Sequence, residues 1–138
     1  MSLFCESGTG VGAILSNLRR SKDFSACYVL LELESGTPFY VGISRSVIRR
    51  LRQHVKGENH FSASLAYRMA NNKFPHKMTR DLAMADPEFR SEFDIARALL
   101  QRARVAFVEI DNPLELYLFE AYCAMELNTC EWNSFRTH

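Results

Sequence analysis

Apolar positions along the chain fall into short runs separated by polar punctuation, and the period of each run predicts an element. From Ser16 to Asp23 the segment SNLRRSKD is polar and ends a short N-terminal helix. Cys27 to Leu33 is apolar at both parities, the pattern of a strand covered on both faces. ESGTP supplies a turn in which Gly36 is free to take positive φ and Pro38 is barred from a central ladder. FYVGI reads as the returning strand. An odd-numbered loop centred near Gly36 keeps Tyr28 and Tyr40 at one parity, and so on one face of the sheet.

Ser44 or Ser46 caps a predicted helix running to about Lys56, with Val47, Ile48, Leu51 and Val55 as its apolar stripe. Arg50 and His54 stand one helical turn apart on it. SASLAYRMA predicts a second helix, packed through small residues, and NNKFPHK a loop. Asp86 and Pro87 mark the start of a helix to Arg102, and ARVAFVEI is a third strand, rich in β-formers. Asp111 or Asn112, with Pro113 at the first helical position, opens a last helix to about Leu127. Its core stripe reads as Leu114, Leu118, Ala121 and Met125, with Glu120 near the border beside Tyr117 and Ala124 and with Glu115 and Glu126 solvated. No repeat, low-complexity tract or linker interrupts the pattern. The expectation is one α+β domain over residues 1–138, a small three-stranded mixed or antiparallel sheet flanked by helices.

Composition changes this picture little. A chain of 138 residues, 47% hydrophobic and 24% charged, can bury a core and is unlike a disordered tail. No apolar run approaches the length of a membrane-spanning helix, and the patch from Val11 to Leu15 lacks the basic lead and cleavage site of a secretory signal. Cys5, Cys27, Cys123 and Cys130 form no CxxC pair and no zinc spacing, so they read as reduced thiols in a cytoplasmic setting. His60 and His76, without spaced carboxylate or cysteine partners, read as surface or loop residues.

Charge changes it more. The formal total of +1 hides thirteen Lys and Arg against six acids between Arg45 and Arg104, followed by six acids and no Lys or Arg from Val105 to Phe135. A basic stretch followed by a carboxylate-bearing element suits a polyanion and a divalent cation held against it.

Specific residues sharpen that reading. ACY at Ala26 to Tyr28, YVG at Tyr40 to Gly42, Arg50 and His54 in YVGISRSVIRRLRQH, Glu120 in LYLFEAYCAMELNT and Asn133 in CEWN occur in that order. The set resembles the GIY-YIG nuclease family, whose two short motifs lie on the first two strands and are followed by a helical arginine and histidine, a late helical glutamate and an asparagine. YVG matches the second motif with a conservative valine, and ACY keeps only the tyrosine of the first. The likeness covers residues 26–56 and 105–133, leaving 57–104 as a helical insertion between the first helix of the module and the third strand.

The resemblance implies a divalent-metal-dependent endonuclease that hydrolyses phosphodiester bonds in DNA. Tyr28, Tyr40, Arg50, His54 and Glu120 would be its catalytic residues, Gly42 and Asn133 its supports, and Glu120 the ligand of Mg²⁺ or Mn²⁺. The chemistry agrees. Arg50 offers a planar, permanently charged fork for phosphate oxygens, and His54 can hydrogen-bond a phosphate or a phenol. Glu120 suffices for a cation that keeps most of its waters. Tyr28 would assist water directly or through another water, although a phenol near its ordinary pKa of about 10 needs a cation beside it to do so. Asn133 suits fixing backbone by side-chain hydrogen bonds. Arg45, Arg49, Arg52, Lys56 and Arg68 supply basic surface for a DNA backbone, which Lys73, Lys77 and Arg80 would extend. A single site per chain leaves room for a homodimer to cut both strands, and no membrane partner is expected. The alternatives are a non-catalytic nucleic-acid-binding module on the same fold, or a nuclease toxin sharing the chemistry in another setting.

Overall fold

The computed structural model describes residues 1–6 and 8–133. In chain order the elements are α1 (Ser2–Cys5), α2 (Val11–Asn17), β1 (Ala26–Leu31), β2 (Pro38–Ser44), α3 (Val47–Lys56), α4 (Ser64–Lys73), α5 (Arg80–Ala85), α6 (Pro87–Arg102), β3 (Arg104–Glu109) and α7 (Pro113–Glu126). The class is α+β, with a small open antiparallel sheet. The chain divides into two compact units, one of Met1–Thr9 with Leu51–Arg102, the other of Gly10–Arg50 with the described residues from Ala103. The stretch expected as an insertion thus belongs, with the N-terminal segment, to a unit of its own.

In the sheet-bearing unit β1 is central, flanked by β2 and β3 in the order β2-β1-β3, both pairings antiparallel. The apolar run at both parities is what a central strand requires. Pro38 sits at the first residue of the edge strand β2, where its missing N–H costs no ladder bond. The turn closes with Glu32 N–H donating to Thr37 O (2.9 Å) and Gly36 at φ +69°. This turn, and a register shift after Leu30, end β1 two residues short of the expected Leu33. Cys27, Val29, Val41 and Ile43 share one face and pack with Leu116, Phe119, Cys123 and Ala124 of α7. Ala26, Tyr28, Leu30, Tyr40 and Gly42 alternate onto the other.

Ser46 stands at the N-cap position of α3, its carbonyl accepting from Arg50 N–H at 3.0 Å, but the side chain that caps the first turn comes from a distance. Asp23 accepts from the backbone N–H groups of Ile48 and Arg49, both at 3.0 Å, satisfying two of the orphan donors of the first turn. The cap of α7 is Asn112, whose Oδ1 accepts from Leu114 N–H at 2.9 Å and Glu115 N–H at 3.3 Å, with Pro113 following.

The expected core stripe of α7 is overturned. Leu114, Leu118 and Met125 are exposed, as are Tyr117 and Tyr122, while Leu116 and Ala124 are buried. The helix is apolar on both sides, so hydrophobic spacing alone does not choose the side that meets the sheet.

In the other unit α6 packs against α4, α5 and α1. Leu65, Ala66 and Ala70 on α4 and Phe89, Phe93, Ala96 and Leu100 on α6 are buried. The small residues of α4 do permit the close approach expected of them. Asp86 caps α6, its Oδ1 accepting from Glu88 N–H (3.0 Å) and Phe89 N–H (2.9 Å). Helix α5 lies outside the elements expected from the sequence; Thr79 caps it through Leu82 N–H. His60 lies in the loop between α3 and α4, as one of its two expected roles had it, but not on the surface: it is 4% exposed, its ring centroid 4.0 Å from that of Phe61 and tilted to it, with Nδ1 3.7 Å from Asp81. Among the described residues no helix is long and apolar enough to cross a membrane.

Candidate functional site

The sheet-bearing unit assembles a phenol–guanidinium cluster. Cross-strand pairing sets Tyr28 opposite Gly42 and Leu30 opposite Tyr40, so both tyrosines and the glycine share a face. The two rings stand 6.1 Å apart between centroids and tilted by 56°. Arg50, in the first turn of α3, donates to the Tyr28 oxygen, and the Tyr28 hydroxyl donates to Tyr40. Gly42 makes this possible. A β-carbon there would lie 2.6 Å from both the ring Cζ and the Oη of Tyr28 and 2.9 Å from Tyr40 Cε1.

Electrostatics fix the resting state of that cluster. Burial pushes the Tyr28 phenol well above its ordinary range and Tyr40 adds to the shift, while the Arg50 guanidinium pulls the other way. Tyr28 is therefore a neutral hydrogen-bond donor at physiological pH, and its side chain is only 2% exposed.

Asn133 acts on the neighbouring backbone. Its Oδ1 accepts from Val41 N–H at 2.9 Å and its Nδ2 donates to Val41 O at 2.7 Å, so one side-chain amide pairs with the edge strand as another strand would. That fixes the residue between Tyr40 and Gly42.

Glu120 takes no part in the phenol cluster. It sits half-buried on α7, against the sheet face that carries Cys27, and its carboxyl is pushed upward by burial. Burial also raises the Cys27 thiol to about 12, with the neighbouring Cys123 and then the Glu120 charge adding to it; Cys27 donates a hydrogen bond to Cys123. All four cysteines are free. Among the described residues no hydrogen bond or ion pair engages the Glu120 carboxylate. A half-desolvated carboxylate is a hard oxygen donor of the kind these ions take, so Glu120 fits Mg²⁺ or Mn²⁺ as a single protein ligand. No group of three or more His, Cys, Asp or Glu able to hold a metal occurs among the described residues.

His54 follows Arg50 by one turn of α3, belongs to the other unit, and is fully buried. Of the basic residues, Arg45 and Arg49 are exposed on the sheet-bearing unit, and Lys56 and Arg68 on the other. Arg52 is committed elsewhere, half-buried and donating to the Thr9 carbonyl. Sequence reasoning missed Asp23, which orients the helix carrying Arg50; an acid at the end of a polar segment before a strand is the only local sign of it. Comparison with protein-family models, with curated proteins and with solved structures finds no match to this chain.

Proposed function

We propose that the protein is a divalent-metal-dependent endonuclease acting on DNA, with the GIY-YIG pattern of residues, in a reducing, cytoplasmic compartment. The observation that carries this reading is the hydrogen-bonded set Arg50–Tyr28–Tyr40 packed over Gly42: four members of the ordered motif, drawn from two strands and a helix, meet at one place.

Phosphodiester hydrolysis needs an oriented water, a counter-charge for the phosphoryl oxygens and help for the leaving alkoxide. Arg50 supplies the fixed positive charge, and its contact with Tyr28 limits the directions in which its fork can point. Burial and Tyr40 both oppose ionisation of Tyr28, so it assists as a hydrogen-bonding and positioning phenol rather than by taking a proton in its resting state. Tyr40, accepting from Tyr28, carries the orientation onward. Glu120, on α7, would be the protein ligand of the divalent cation, which would supply Lewis acidity when bound. Asn133 and Gly42 keep the strand on which Tyr40 stands in register.

A plasmid-nicking assay with Mg²⁺ and a chelator control tests the proposal. Relaxed circles that depend on metal and disappear with Glu120→Ala and with Arg50→Ala support it. Cleavage by Glu120→Ala at the unmodified rate removes the metal role.

One observation favours the rival reading, a non-catalytic DNA-binding module: Tyr28 and Tyr40 are only 2% and 7% exposed, and Glu120 lies apart from them. Salt-sensitive binding without cutting of duplex, branched or single-stranded DNA would establish that alternative.

A further inference from the structure

We propose that the outer face of α7 is a homodimer interface, in which two copies of the helix pack antiparallel. This goes beyond the nuclease reading and does not rest on it. Leu114, Tyr117, Leu118, Tyr122 and Met125 are 54 to 72% exposed on one side of the helix, although its opposite side is already seated on the sheet. A helix apolar all round belongs between two packing partners. With roughly 200 Å² for a fully exposed side chain of this size, the five leave about 600 Å² in water per chain. Pairing two copies removes up to about 1,200 Å², the lower end of what a stable interface buries.

The spacing selects a second copy as the occupant. At 100° per residue, an antiparallel two-fold pairing centred between Leu118 and Ala121 sets Leu114 level with Met125 of the second copy. The same pairing sets Leu118 beside Tyr122, and Tyr117 over Ala121. Each large residue meets a complementary one, and the small Ala121 accepts the tyrosine ring. Every such contact occurs twice, as an isologous interface requires. Tyr and Met are also residue types enriched in interfaces. Glu115 and Glu126, both exposed, fall on the rim, where they meet as like charges that added salt screens.

Sedimentation equilibrium on the full chain, without DNA or metal, tests the pairing. The expected result is a dimer at about 50 µM that tightens with salt. Leu114→Lys and Met125→Glu, both at exposed positions, should each raise the dissociation constant by about tenfold or more while circular dichroism stays unchanged. Mixing the two variants should restore the dimer, because the pairing brings the new lysine against the new glutamate. A monomeric unmodified chain, a dimer indifferent to both substitutions, or a mixture that stays monomeric overturns the proposal. So does a monomer whose α7 face instead takes up an amphipathic helical peptide or phosphatidylcholine vesicles.

Discussion

The phenol of Tyr28 occupies the space that a side chain on Gly42 would need: a β-carbon there would stand 2.6 Å from Tyr28 Oη. The closeness is a property of the cross-strand pair, which sets the two residues directly opposite each other on β1 and β2. The glycine of YVG is thus a packing requirement of the tyrosine on the other strand. Gly42→Ala should force both rings aside and lower stability by about 1–3 kcal/mol, the usual cost of overpacking a tight site. Urea titration should show a lower midpoint with an unchanged slope. An alanine variant as stable as the parent would mean that the rings move freely.

Asn133 pairs with Val41 through both halves of its amide, at 2.9 and 2.7 Å. Aspartate keeps the acceptor but loses the donor and sets a negative oxygen against the Val41 carbonyl. Asn133→Asp should therefore cost about 1–3 kcal/mol at neutral pH. Faster hydrogen exchange at the Val41 amide should accompany it, since the strand edge loses its cover. If the parent, Asn133→Asp and Asn133→Ala proteins prove equally stable, the pairing carries no weight.

Particular residues show what is legible in the sequence. Tyr28 and Tyr40 share a face as expected, but not through an odd loop: Glu32 to Thr37 is an even loop between Leu31 and its partner Pro38, and the register shift after Leu30 restores the parity, which loop length alone does not show. Asn112 and Pro113 mark the start of α7 because a cap acts within a few residues. Asp23 reaches the N-terminus of α3 across a whole hairpin, so no local pattern announces it. The seating of α7 escapes the sequence for another reason: Leu116, Phe119, Cys123 and Ala124 compete with Leu114, Tyr117, Leu118 and Met125 as an apolar stripe. Only the packing against the sheet decides between them. Motif order brings Tyr28, Tyr40, Gly42 and Arg50 to one place, but does not show that the phenol is buried or that Glu120 lies apart from the cluster.

Tyr28→Phe separates positioning from proton transfer. The substitution removes the oxygen to which Arg50 donates and the hydroxyl that Tyr40 accepts. A positioning role predicts nicking slowed by about 10- to 100-fold with the pH–rate profile unchanged in shape. Because burial raises the phenol beyond its ordinary value, under the proposed nuclease role the unmodified protein should show no rising limb from Tyr28 ionisation below about pH 10. A limb near neutrality that vanishes in the phenylalanine variant would instead make Tyr28 the base.

Glu120 ties stability to pH and, under the proposed metal role, ties it to Mg²⁺ in the opposite sense. Its carboxyl is raised by burial in the folded chain, so the native state holds that proton more tightly than the unfolded chain does. The charged form therefore weakens folding. That cost is absent below the ordinary carboxylate range, grows as pH rises through it, and is fully present above the raised folded value. Glu120→Gln should accordingly melt a few degrees higher than the parent at about pH 7 and show no advantage at about pH 3. Adding Mg²⁺ at neutral pH should narrow the gap by stabilising the parent alone, because a ligand that binds only the native state raises its stability by mass action. Melting curves of both proteins at the two pH values, with and without Mg²⁺, check this. Equal stabilisation of both by the cation would remove Glu120 as its ligand, and a destabilised glutamine variant at neutral pH would show that the carboxylate has a counter-charge in the folded chain.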